Sequence, residues 1–190
     1  MTNNTNNTKV ITGKVRFSYV KVFDPEIDKN GKENYSVSLI IDKKDKKTLD
    51  AIEKAVDYAK QAGIAKLGGK NGKIPGNLKL PLRDGDEDRE DDEAYAGKMF
   101  VNAKCRTRPG IVYKNGQPII DTTDFYSGCY GYASISFYAF NTDGNKGIAC
   151  GLNNLMKLED GEPLGGRAKA EDDFAALIQT DEDDEDNFLD

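Results

Sequence analysis

The 190-residue chain contains no histidine and no tryptophan, and only three cysteines. Without imidazole, His-based catalytic triads, HExxH zinc sites and imidazole acid–base chemistry are all excluded, and most familiar hydrolase mechanisms go with them. Cys105, Cys129 and Cys150 are odd in number and widely spaced, which argues against a disulfide framework and provides no CxxC zinc or redox pair. No stretch approaches the roughly 18 consecutive apolar residues of a membrane span. The leading MTNNTNNTK lacks the apolar segment of a signal peptide, so the expectation is a cytoplasmic protein with no membrane partner. Gly68, Gly69 and Gly72 miss the Walker A spacing, and Lys73 is not followed by Ser or Thr, so no nucleotide cofactor is expected.

What the chain has in quantity is charge, unevenly placed. Its net charge of −6 divides into −11 over residues 159–190 and +5 over residues 1–158. Inside the body, Asp84 to Glu93 holds eight acids against Arg89 alone. A basic surface with acidic appendages suits a protein that meets nucleic acid, because cations displace counterions from phosphates, although solubility alone accounts for charge equally well.

Hydropathy patterning divides the chain into a polar lead-in (1–9), one folded domain (10–158) and an acidic tail (159–190) too poor in apolar residues to fold alone. In the first strand Ile11, Val15, Phe17 and Tyr19 fall on one face, with Thr12, Lys14, Arg16 and Ser18 on the other. After the Asn30-Gly31 turn signal, Tyr35, Val37, Leu39 and Ile41 alternate with Ser36 and Ser38, so the two runs pair as a hairpin. The one long helix has Asp45 at its N-cap and a stripe of Leu49, Ile52, Val56 and Ala59. Lys43, Lys44, Lys46 and Lys47 crowd its start, where a helix dipole gains nothing from cations, and read as solvated. Residues 68–97 form a long acidic connection. Strands resume at Lys98 and in the stretch Tyr126–Phe140, and Asp143-Gly144 turns the chain into a last strand through Leu158. The fold class is mainly β: a five-or-more-stranded antiparallel OB-like barrel with one inserted helix.

The strand Tyr126–Phe140 has two unlike faces. Cys129, Gly131, Ala133, Ile135, Phe137 and Ala139 are small or apolar; Tyr130, Tyr132, Ser134, Ser136, Tyr138 and Phe140 interleave aromatics with hydroxyls. The second row reads either as a stacking platform for single-stranded bases, or as a second core beneath the helix or acidic loop. Gly131 would let a base approach the backbone. Lys14, Arg16, Lys104, Arg106 and Arg108, with Phe100 beside them, fall on the polar faces of neighbouring strands, which favours the platform. A duplex reader would need a recognition helix, and none is evident. The acidic loop opens as Asp84-x-Asp86-x-Asp88 but has Arg89 where a calcium loop requires Gly and Tyr95 where it requires Glu, so no metal is assigned. The tail ends DEDDEDNFLD, and its apolar pair Phe188 and Leu189 reads as a docking tip for a partner pocket rimmed by cations.

The chain also resembles bacteriophage and prophage single-stranded DNA-binding proteins with an OB-type fold. The resemblance is carried by TGKVRFSYVKVF (12–23), YSVSLII (35–41), PLRDGDEDREDDEAYAGKMFVNA (81–103), YSGCYGYASISFYAFN (126–141), NKGIACGLNNLMKLEDGEPLGG (145–166) and DDF (172–174). It implies sequence-tolerant single-stranded DNA binding in phage replication or recombination within a bacterial host cell. It further implies no catalysis, and an acidic tail that docks replication or recombination proteins. Self-association as a homodimer is left open. Two competing classes are a metal-dependent nuclease using the 84–93 acids and a DNA-mimic interaction protein.

Overall fold

The computed structural model describes residues 7–165 together with Phe174 and Leu177. Eight strands, β1 (Lys9–Ile11), β2 (Val15–Ile27), β3 (Glu33–Asp42), β4 (Leu82–Asp84), β5 (Lys98–Cys105), β6 (Gly110–Val112), β7 (Tyr130–Thr142) and β8 (Asn145–Glu159), form one sheet. Five of them close a ring in the order β2-β3-β5-β8-β7 and back to β2. Four of these contacts are antiparallel, and β5–β8 is parallel. The expected OB-like, mainly antiparallel barrel is present with one parallel seam, for a geometric reason: an odd number of strands cannot alternate direction all the way around a closed ring. β6 also runs parallel to β8.

The ring closes around Val15, Phe17, Leu39, Val101, Ile135 and Leu155, all essentially inaccessible. The helix α1 (Lys46–Ala62) starts as expected, with the Asp45 carboxylate accepting from the Thr48 amide at 3.1 Å. Its Leu49, Ile52, Val56 and Ala59 stripe is buried in the same core, and the helix packs on β7 and β1. The β7–β8 turn has positive φ at both Asp143 and Gly144 (51° and 86°), the two-residue geometry that matches strand twist.

Strict alternation fails in β1 and β2. Val10 and Thr12 point inward, with the Thr12 hydroxyl accepting from the Ala133 amide at 3.0 Å, while Ile11 is exposed. The phase resets at Gly13, between the two strands, so Val15 and Phe17 are inward as expected. Tyr19, assigned inward from sequence, points outward at a bulge.

The 68–97 connection is more structured than a solvated loop. It supplies β4, a short helix α2 (Gly85–Asp88) and a 3₁₀ turn at Glu93–Tyr95. Tyr95 is fully buried: its hydroxyl donates to Ser38 Oγ at 2.9 Å, and its ring packs edge-on against Phe100 at 5.1 Å. Lys43 binds Asp84 at 2.9 Å and Asp86 at 2.7 Å, so it is a clamp rather than a solvated cation. Residues 84–96 thus form an acidic strap across the outer face of β3 and β5.

Candidate nucleic-acid interface

Lys104 stands near the end of β5 and Arg106 in the bend just beyond it, and both are exposed. Across the parallel β5–β8 seam and up the β7–β8 hairpin they face Tyr138 and Phe140, and together with Asn34 and Asn145 they line a cleft of about 500 Å³. Tyr138 is 46% exposed, and among the described residues Lys104 makes no ion pair. Arg106 lies 3.5 Å from Asp28 in the β2–β3 turn. Ser36, Arg83, Lys104 and Phe140 border an adjoining cleft of about 390 Å³, so the groove continues toward β3. In the ring, β3 and β5 are the second and third strands, and the β2–β3 and β7–β8 turns flank them. This is the face on which OB barrels receive oligonucleotides.

A second cluster gathers at the opposite end of β7. Lys14 Nζ lies 5.0 Å and the Arg16 guanidinium 5.3 Å from the Tyr130 ring centre. Lys14 pairs with Glu159, whose hydrogen bond holds the ammonium pKa above its ordinary value. Arg16 donates to the carbonyls of Gly128 (3.1 Å) and Glu162 (2.7 Å). Lys14, Arg16 and Tyr130 border a third cleft, of about 340 Å³, with Asp42 and Lys98. Tyr130 and Tyr138 are eight residues apart along β7, about 26 Å at the usual rise. The aromatic row is therefore two sites joined by Tyr132, Ser134 and Ser136, all half-exposed. Asn153 donates to Ser136 Oγ at 2.9 Å, filling the stretch between.

Three sequence-derived assignments are corrected. Phe100 does lie on the outer side of β5, but it is 0% exposed, covered by Tyr95 and Leu164 and approached by the guanidiniums of Arg83 and Arg89 at 5.3 and 5.6 Å. It can stack no base. Gly131 faces inward, where a Cβ would come within 1.9 Å of the Met156 carbonyl oxygen, so it serves barrel closure. Residues 160–165, assigned to the tail, pack on the body: the Leu164 amide donates to the Ser127 carbonyl at 2.8 Å, and the Tyr126 hydroxyl donates to Asp160 at 2.9 Å. Arg108 sits beyond the main groove, 5.5 Å from the Phe23 ring. Phe188, Leu189 and nearly all of the remaining tail lie outside the described residues.

Sequence reasoning missed Tyr19, Tyr95 and Arg89. Tyr95 had a readable signal, a large aromatic alone among acids. The outward turn of Tyr19 had none, because its bulge carries no glycine.

A closed five-strand ring with an elongated polar-aromatic groove defines an OB-type barrel protein. The chain belongs to the family described as "Enterobacter phage Enc34, ssDNA-binding protein", whose model matches residues 8–189. It is 28% identical over 183 residues to protein p50 of Acyrthosiphon pisum secondary endosymbiont phage 1, covering 92% of this chain and 96% of that one. The single-stranded DNA-binding protein of bacteriophage Enc34 in complex with ssDNA superposes with a TM-score of 0.67 at 26% identity, over 84% of this chain and 91% of that one. The gp2.5 single-stranded DNA-binding protein of bacteriophage T7 shares the fold, with a TM-score of 0.64 at 15% identity over 89% of this chain and 99% of that one.

Proposed function

We propose that this protein binds single-stranded DNA without strong sequence preference, in phage DNA replication or recombination, and performs no catalysis. The observation that carries the reading is the cleft where Lys104 and Arg106 oppose Tyr138 and Phe140 on the barrel face used for oligonucleotides. The cations there meet phosphates, and the rings meet bases, which all offer a π face. Family membership and the relative solved with ssDNA support the same assignment. The tail from about residue 166 serves as a tethered anion that competes for the groove and, through Phe188 and Leu189, as the docking tip for replication or recombination proteins in the host cytoplasm.

The nuclease alternative is disfavoured by the strap itself, because Asp84 and Asp86 share Lys43 and so meet a cation already. A salt series with an unstructured oligonucleotide, the matching duplex and the matching RNA tests the reading. Single-stranded DNA is bound more tightly than duplex, with log K falling linearly against log salt. Equal affinity for duplex, or Mg²⁺-dependent cleavage of the oligonucleotide, would overturn it.

A further inference from the structure

Between Ser18 and Lys21 of β2 two residues stand opposite the single Val37 of β3, since Ser18 pairs with Ser38 and Lys21 with Ser36. Tyr19 occupies this bulge at φ 46°, one of three non-glycine residues with positive φ among those described. A bulge re-aims a side chain, and a non-glycine residue held in the left-handed region marks a place where function is worth local strain. Here the result is a tyrosine turned onto the outer face and 51% exposed.

The ring is also supported. The Arg89 guanidinium lies 5.1 Å from its centre and is wedged against Tyr95 and Phe100, 5.6 Å from each. Arg89 is the one base among the strap's eight acids, yet among the described residues its guanidinium makes no ion pair. Its guanidinium carbon lies within 5.6 Å of three ring centres. Ser36 lines the groove and pairs with Lys104, so Tyr19 lies two strands from Lys104, about 10 Å at ordinary strand spacing.

We propose that Tyr19, backed by Arg89, is a further nucleotide subsite: a base stacks on the open part of the Tyr19 ring, and Arg89 meets the adjoining phosphate. The subsite extends the Lys104–Tyr138 groove across β3 to β2, and it rests on the single-stranded DNA reading above. Stacking supplies most of its affinity, because the surrounding acids oppose the phosphate contact.

Tyr19→Asn removes the ring while keeping a residue that tolerates positive φ, and Tyr19→Phe keeps the ring. Oligothymidylates from about 4 to about 16 nucleotides are titrated against both variants and the wild type. Tyr19→Asn weakens binding of the long oligonucleotides about 5- to 150-fold with little change in salt slope, leaves the shortest unaffected, and Tyr19→Phe matches wild type. In the unaltered protein, photo-cross-linking with iodouracil-substituted oligothymidylate places an adduct on Tyr19. Wild-type affinity of Tyr19→Asn at every length, or cross-links only elsewhere, overturns the subsite and leaves the parent reading standing. Failure of the wild-type protein to bind the oligonucleotides overturns both.

Discussion

Lys104 and Tyr138 face the same cleft, and in the proposed interface they would contribute in physically different ways that salt separates. Each cation that neutralises a phosphate releases counterions, so Lys104→Ala or Arg106→Ala should each flatten the plot of log K against log salt by about 1. Tyr138→Ala should instead cost about 1 to 3 kcal/mol at every salt concentration and leave the slope nearly unchanged. Phe100→Ala should behave as neither. Its ring is buried under Tyr95, so the loss appears in unfolding, about 3 to 5 kcal/mol by denaturant titration. A Phe100→Ala protein that unfolds like wild type but has lost DNA affinity would return Phe100 to the interface. The contrast also shows what could be read from sequence at this scale. Period-2 alternation put Lys104, Tyr138 and Phe140 on outer faces, because each lies in an uninterrupted strand, and Arg106 with them although it stands one residue beyond the end of β5. It put Phe100 there too, and could not see that a segment preceding β5 folds back as a cover. Alternation failed outright at Tyr19, where one inserted residue shifts the phase.

At the scale of elements, the acidic strap is held down mainly at Lys43. Asp86 accepts from Lys43 and from the Gly97 amide at 2.9 Å, and these bonds hold its carboxyl below the ordinary 3.8. Lys43 is correspondingly held above its ordinary 10.5 by Asp86 and Asp84. For Asp86 the sign follows from the lowered value: its contribution is present above 3.8 and fades as pH falls through the lower folded value. For Lys43 the contribution is present below 10.5 and fades as pH rises through the higher folded value. The clamp is therefore complete from mildly acidic to mildly alkaline solution and releases at both extremes. The Gly97 amide proton, followed by NMR, should report the acid transition, and Lys43→Met should move its midpoint up toward 3.8. An unchanged midpoint would mean that the Gly97 hydrogen bond, not Lys43, sets the Asp86 value. The long strands, α1 and the hairpin turns were legible because each repeats a simple pattern of apolar spacing and turn residues, whereas the short β4 was read as part of a connection. The strap was not, because its anchors, Tyr95, Asp84 and Asp86, are scattered singles whose partners lie 41 to 57 residues away.

For the whole molecule, the decisive quantity is the opposition between a body of +2 over residues 1–165 and a tail of −8 over residues 166–190. The body's own acids are in part spent on its own cations, as at Lys43–Asp86 and Lys14–Glu159, whereas among the described residues Lys104 makes no ion pair. In the proposed reading the six consecutive acids Asp181–Asp186 compete from a tether, so an encounter with the groove would be intramolecular and run at high effective concentration. Deleting Thr180–Asp190 removes seven acids and should raise affinity for single-stranded DNA, most at low salt, where the Debye length is longest. The change Phe188→Ala with Leu189→Ala keeps every acid, so it should leave DNA affinity almost unchanged while abolishing recruitment of a replication or recombination partner. Titrations of the three proteins at two salt concentrations, beside a pull-down of host and phage replication proteins, separate charge from anchor. If the truncated protein binds no more tightly than the full chain at low salt, the tail does not compete for the groove and its acids serve solubility. If the double alanine protein still recruits its partner, docking runs through the acids rather than the apolar tip.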